Sequence, residues 1–118
     1  MSKAERVPIY LQHMLEAIER ALIYVEPIAS AAAFTANRQV LDAVVRNLEI
    51  LGEAANKINQ VDSGYFDTHP EVPWHLMRAM RNKMIHDYFS VDALVVWQTV
   101  QSDLPALRAQ IERLLKVS

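Results

Sequence analysis

The sequence predicts an all-α fold, an up-and-down helical bundle of four to five helices, and three observations lead there. Only two glycines, Gly52 and Gly64, occur in 118 residues. Long stretches place apolar residues three or four positions apart, the spacing that gathers side chains on one helix face and argues against a sheet. With 52% hydrophobic residues, the chain can bury one real core, so residues 1–118 are expected to form a single domain.

The first helix is predicted from Pro8, a favourable first-turn residue, to Val25, with Leu11, Met14, Leu15, Ile18, Leu22 and Val25 as its buried stripe. Pro27 ends it. The small apolar stretch Ile28 to Ala36 has no clear period and reads as a connection holding at most a short helical turn. A strongly amphipathic second helix follows from Asn37 to Ile58, with Leu41, Val44, Val45, Leu48, Leu51, Ala55 and Ile58 on its apolar face. Gly52 in its interior costs about 1 kcal/mol relative to Ala, which hints at close approach by another helix.

Asn59 to Val72 contains Asp62, Ser63, Gly64 and Pro70, a turn-forming cluster. The third helix should open at Pro73-Trp74 and run to His86, turning Trp74, Met77, Met80 and Met84 to the core. A last helical region begins near Val91-Asp92, where Asp92 can cap it, and continues to Leu115. Its seam is Trp97, Val100, Leu104, Leu107, Ile111 and Leu114. Pro105 should kink it, because the ring clashes with the carbonyl of Gln101 and its nitrogen donates no hydrogen bond.

Composition excludes several classes. The absence of Cys removes disulfides and thiolate metal sites and fits a reducing compartment, so a cytoplasmic location is expected. Lys3, Glu5, Arg6 and His13 interrupt the N-terminal segment where a secretory signal would need an apolar run. Ala21 to Phe34 is too short and too broken by Glu26 and Pro27 to span a bilayer, so no membrane association is expected. A net charge of −2 lacks the field of a strong non-specific nucleic-acid binder, so any RNA contact must be local. Arg78, Arg81 and Lys83 do concentrate positive charge, although such residues on a helix are more often a solvated face.

The segment Met80 to Asp92, MRNKMIHDYFSVD, is the most informative. It brings Arg81, Asn82, His86, Asp87 and Tyr88 to the end of an otherwise apolar helix. RNA cleavage without metal needs a base for the 2′-hydroxyl, an acid for the departing 5′-oxygen, and positive charge against the phosphate oxygens. Histidine can take and give a proton near neutrality, and arginine offers a planar charged fork matched to phosphate. On an ideal helix Arg81 and Tyr88 project within about 20° of each other, whereas His86 lies roughly 140° from Arg81. Either the helix frays near Asp87 or two chains pool their motifs across a dimer axis. Taken as physical chemistry alone, the same residues also suit an ordinary helix end, with Arg and His facing the C-terminal dipole and Tyr packing its ring.

Arg81, His86 and Tyr88 match the Arg-x4-His-x-Tyr signature and resemble HepT-like toxins of the HEPN superfamily. Further blocks follow in order: Asp42-Ala43-Val44, Arg46 to Ala55, Pro73-Trp74, Val91-Asp92, Val96-Trp97 and Leu104-Pro105. The resemblance covers most of the chain from Ile9 onward. It implies a HEPN-like homodimeric toxin that cleaves RNA without a metal or other cofactor, and it leaves open whether the dimers form a higher assembly. Its partner would be a MntA-like nucleotidyltransferase antitoxin. Carried across, Arg81 would stabilise the phosphate and His86 would act as general acid or base. Tyr88 would be the site of AMPylation, an added negative charge that competes with RNA for Arg81. Asn82, Arg78 and Lys83 are candidate substrate contacts, and Asp87 could orient His86, though a solvated helix end is the plainer reading of Asn82 and Asp87. The alternative function is a non-catalytic helical partner or substrate-binding subunit of a nucleotidyltransferase.

Outside the motif, Glu49 and Glu53 stand four apart, as a carboxylate pair would, but Glu53 also precedes Lys57 by four residues, the favourable orientation for an exposed helix ion pair. That pairing is the expected role. Arg46, Asn47, Glu49 and Glu53 could still line a dimer cleft. His13, His69 and His75 show no ligand spacing, so surface or capping roles are expected for them.

Overall fold

The computed structural model describes residues 1–86 and 92–117, without the side chains of residues 83–86. Helix α1 spans Lys3–Val25, beginning five residues before the expected Pro8. The Glu5 carboxylate accepts hydrogen bonds from the Ser2 backbone N–H at 3.4 Å and the Ser2 hydroxyl at 3.0 Å, so the helix is capped ahead of the proline. Pro8 sits in the second turn, where its missing N–H forfeits one bond, to the carbonyl of Ala4. After Val25 the chain turns through Glu26 and Pro27, with Ile28 N–H donating to the Val25 carbonyl at 2.9 Å.

Where the sequence indicated a connection, a short helix α2 forms over Ala31–Ala36. Ser30 Oγ accepts the Ala33 N–H at 3.1 Å, and Phe34 is fully buried with its ring centroid 5.3 Å from that of Trp97. Cap and anchor stabilise a segment whose apolar spacing is too irregular to announce a helix. Helix α3, Arg38–Val61, starts where Asn37 Oδ1 accepts the Val40 N–H at 3.1 Å. All seven residues of its predicted apolar face are buried. It runs three residues past the predicted Ile58 before the one-turn helix α4, Tyr65–Thr68.

Helix α5 spans Trp74–His86. Its first residue is held from two sides: Phe66 stacks on the Trp74 ring at 4.7 Å, and the indole N–H donates to the His69 carbonyl at 2.9 Å. Trp74 and Met77 are buried as expected and Met80 is half-buried; the Met84 side chain lies outside the described residues. Helix α6, Ala93–Gln98, is capped by Asp92, whose carboxylate accepts the Leu94 N–H at 2.9 Å.

The distortion expected at Pro105 takes the form of a π-helical turn, Thr99–Asp103, between α6 and helix α7, Leu104–Val117. Leu104 N–H reaches the Thr99 carbonyl, five residues back. The wider turn carries the chain past a proline that has no N–H and would otherwise press on the preceding turn.

Helix α1 packs on both α3 and α7, and α3 in turn carries α5 on another face while touching α2, α4 and α6. Lys3 and Val7 share a cleft with Asp62, beyond the end of α3, and Val117, at the end of α7. Helix α1 therefore runs antiparallel to both neighbours, the up-and-down arrangement predicted. A single continuous core joins Leu11, Met14, Ile18, Val44, Leu48, Leu51, Val100, Leu104 and Ile111. Asn47 is the exception inside it, 5% exposed, accepting from Arg20 Nε and donating to the Ala43 carbonyl, both at 2.8 Å. Both of its polar ends are satisfied, as burial demands. No helix among the described residues is long and apolar enough to cross a membrane.

Phe34 tests whether α2 belongs to this core. Phe34→Ala should destabilise the fold by about 3–5 kcal/mol, read as a lower urea midpoint with an unchanged denaturant slope.

Candidate active site

The close approach implied by Gly52 is made by α5. A Cβ built on Gly52 would overlap the Cβ of Arg81 and lie 2.8 Å from the Met77 carbonyl oxygen. Any side chain there would push against backbone, which cannot yield as a flexible side-chain tip can. Glycine thus lets the two helices touch at the turn that carries Arg81.

From that contact the Arg81 side chain runs along α3. Its Nη2 lies 2.7 Å from Glu53 Oε2, and its Nη1 donates to Asn82 Oδ1 at 3.0 Å. The Nε is buried and has no hydrogen-bond partner among the described residues. Glu53 therefore meets Arg81 across the helix interface, in place of the Lys57 partner that sequence spacing favoured. The reason is geometric: Glu53 follows Gly52, so it stands beside a place where α5 comes into direct contact with α3. With the Arg81 and Glu53 side chains 28% and 43% exposed, the pair is reachable by solvent and contributes little to stability, about 0–1 kcal/mol. In this arrangement the guanidinium points toward Glu53 on α3.

The other candidates separate from this pair. The Arg78 guanidinium lies over the Phe66 ring, 5.9 Å from its centroid, and so faces α4. Lys83 and His86 belong to α5, but their side chains lie outside the described residues, as do Asp87 and Tyr88 altogether. In the α3 block, Arg46 pairs with Glu49 at 3.4 Å, while Asn47 turns inward to Arg20 and lines no outer cleft. His13 stands edge-on to Tyr10, His69 lies 3.9 Å from Glu71, and His75 stands edge-on to Phe66. Among the described residues no three His, Cys, Asp or Glu side chains form a group able to hold a metal ion.

Residues 14–114 match the family model described as "Ribonuclease HepT-like". The chain belongs to the HepT-like ribonuclease family. It is 40% identical over 107 residues to a protein of Thermococcus cleftensis named probable ribonuclease HepT, covering 91% of this chain and 94% of that one. A protein of Caldanaerobacter subterraneus named as a candidate RNase is 34% identical over 107 residues, 91% of this chain and 92% of its own. A further candidate RNase, from Methanocaldococcus jannaschii, is 34% identical over 112 residues, 95% and 98% of the two chains. No solved structure matches the chain. The family is the one that the Arg-x4-His-x-Tyr signature indicated, and its enzyme class is RNA-cleaving hydrolase.

What the sequence left unassigned is the Glu53 to Arg81 pairing. Its one signal was Gly52, an unusual helix residue immediately before an acid. Gly52→Ala should displace α5 at this turn. The clash is expected to outweigh the gain in helix propensity of about 1 kcal/mol and to destabilise the protein by about 1–3 kcal/mol, measured by chemical denaturation.

Proposed function

We propose that this protein is a metal-independent endoribonuclease toxin whose site is built on Arg81 and His86. The observation that carries the reading is the placement of Arg81, the first residue of the family-type motif, at a glycine-enabled helix contact with its side chain partly exposed. A permanently charged fork held in that manner suits a phosphodiester, because its direction is set before the substrate arrives.

In the proposed reaction His86 acts as base or acid. The 2′-hydroxyl loses its proton, its oxygen bonds to phosphorus, and the bond from phosphorus to the 5′-oxygen breaks. The departing oxygen takes a proton, leaving a 2′,3′-cyclic phosphate and a 5′-hydroxyl. Arg81 opposes the negative charge that builds on the non-bridging oxygens. Asn82, bonded to Arg81, and the basic Arg78 and Lys83 of the same helix are proposed to guide the strand.

Helix α5 continues through His86, and positions 81 and 86 of an ideal helix stand roughly 140° apart. That register supports a site pooled between two copies rather than assembled within one. Leu94 and Val95, about half exposed on the helix that follows the motif, supply apolar surface for a homodimer. Neutralisation is assigned to a MntA-like nucleotidyltransferase antitoxin, which would transfer AMP from ATP to the Tyr88 hydroxyl with release of pyrophosphate. The new phosphodiester charge would compete for Arg81.

The purified protein should cut single-stranded RNA in the presence of chelator. His86→Ala and Arg81→Ala should each lower the rate by roughly 100- to 10,000-fold; cutting by both variants at the wild-type rate would refute the assignment. Incubation with the cognate nucleotidyltransferase and ATP should add one AMP mass to the Tyr88 peptide, and an unchanged peptide mass would contradict the proposed off-switch.

A further inference from the structure

We infer that Glu53 is a positioning residue that sets the direction of the Arg81 guanidinium for RNA phosphate, an inference that rests on the ribonuclease reading above. A guanidinium has five N–H donors. On Arg81 the Nε–H is buried and closed to an incoming strand. One donor on Nη2 goes to Glu53 at 2.7 Å and one on Nη1 goes to Asn82 at 3.0 Å. Among the described residues, one further donor is left on each terminal nitrogen, available to phosphate oxygens.

The two protein contacts differ in kind. Asn82 is the exposed neighbour of Arg81 on the same helix and moves with it. Glu53 stands on α3, fixed beside the Gly52 contact, so it alone of the two ties the guanidinium to a separate rigid element. Arginine has a long, freely rotating stem, and holding its head in place removes rotamers that would have to be frozen during reaction.

Glu53 also has an electrostatic cost. Its carboxylate is 43% exposed beside the cation and would repel an RNA phosphate approaching Arg81. A residue kept for affinity would not be an acid here. A positioning role therefore makes a divided prediction: removing Glu53 should leave RNA binding equal or tighter while slowing the chemical step.

The test compares wild type, Glu53→Ala and Glu53→Gln for cleavage of a single-stranded RNA. Binding of a 2′-O-methyl oligonucleotide, which lacks the attacking hydroxyl, is measured in parallel. Glu53→Ala should lose on the order of 10- to 100-fold in kcat, with affinity unchanged or improved. Glu53→Gln keeps the length and the acceptor oxygen, so it should recover much of the lost rate. Wild-type kcat in Glu53→Ala would overturn the inference, and so would a parallel loss of rate and affinity in both variants. If wild type itself leaves the RNA intact, the ribonuclease reading falls and takes this inference with it; if wild type cuts and Glu53→Ala cuts equally well, the Glu53 assignment alone falls.

Discussion

The contact of α5 with α3 at Gly52 sets where Arg81 stands relative to Glu53, the part of the candidate site that lies within the described residues. Helices normally keep their axes 8–10 Å apart because side chains stand between them. Here the absence of a side chain at Gly52 admits the Met77 carbonyl and the Arg81 Cβ to the surface of α3. The following residue, Glu53, is thereby brought within ion-pair distance of the Arg81 guanidinium. Sequence neighbours on α3 thus divide the work: one permits the approach and the next receives the charge that approaches. The remainder of the bundle serves to hold α3 still, with α1 packed along it and the Trp74 to Phe66 stack fastening the start of α5.

Much of this was legible in the sequence because the main helices are amphipathic over several turns. Every residue assigned to the apolar face of α3 is buried, since a long regular stripe leaves one solution for its packing. The start of α1 was misplaced because Pro8 tolerates two readings, first-turn residue or early interior residue, and the Ser2 to Glu5 cap favours the second. Helix α2 depends on the burial of Phe34 against Trp97, a contact between residues distant in the chain that no local period records. Pro105 announced a distortion without specifying a π-helical turn, because the same missing N–H can be accommodated by a bend or by a wider turn.

For the site, the motif residues were legible as chemistry and the close helix approach as a consequence of Gly52. Their joint outcome was not. Local spacing offered Glu53 the nearby Lys57, and the tertiary contact with Arg81 prevailed because it is set by two rigid helices rather than by two flexible stems. Asn47 shows the opposite outcome: a polar residue of the same block, placed by its register between α1 and α3, is consumed by Arg20 and the Ala43 carbonyl and serves the fold. Membership in the HepT-like ribonuclease family accords with the role proposed for Arg81, and under that proposal the acid beside it would limit how strongly RNA can bind.

The most direct measurement is a double-mutant cycle on single-turnover RNA cleavage, using an assay sensitive enough to follow the slow variants. If Glu53 acts through the Arg81 guanidinium, adding Glu53→Ala to Arg81→Ala should cause no further loss, because the group it positions is already gone. Equal and independent losses from the two substitutions would contradict the account.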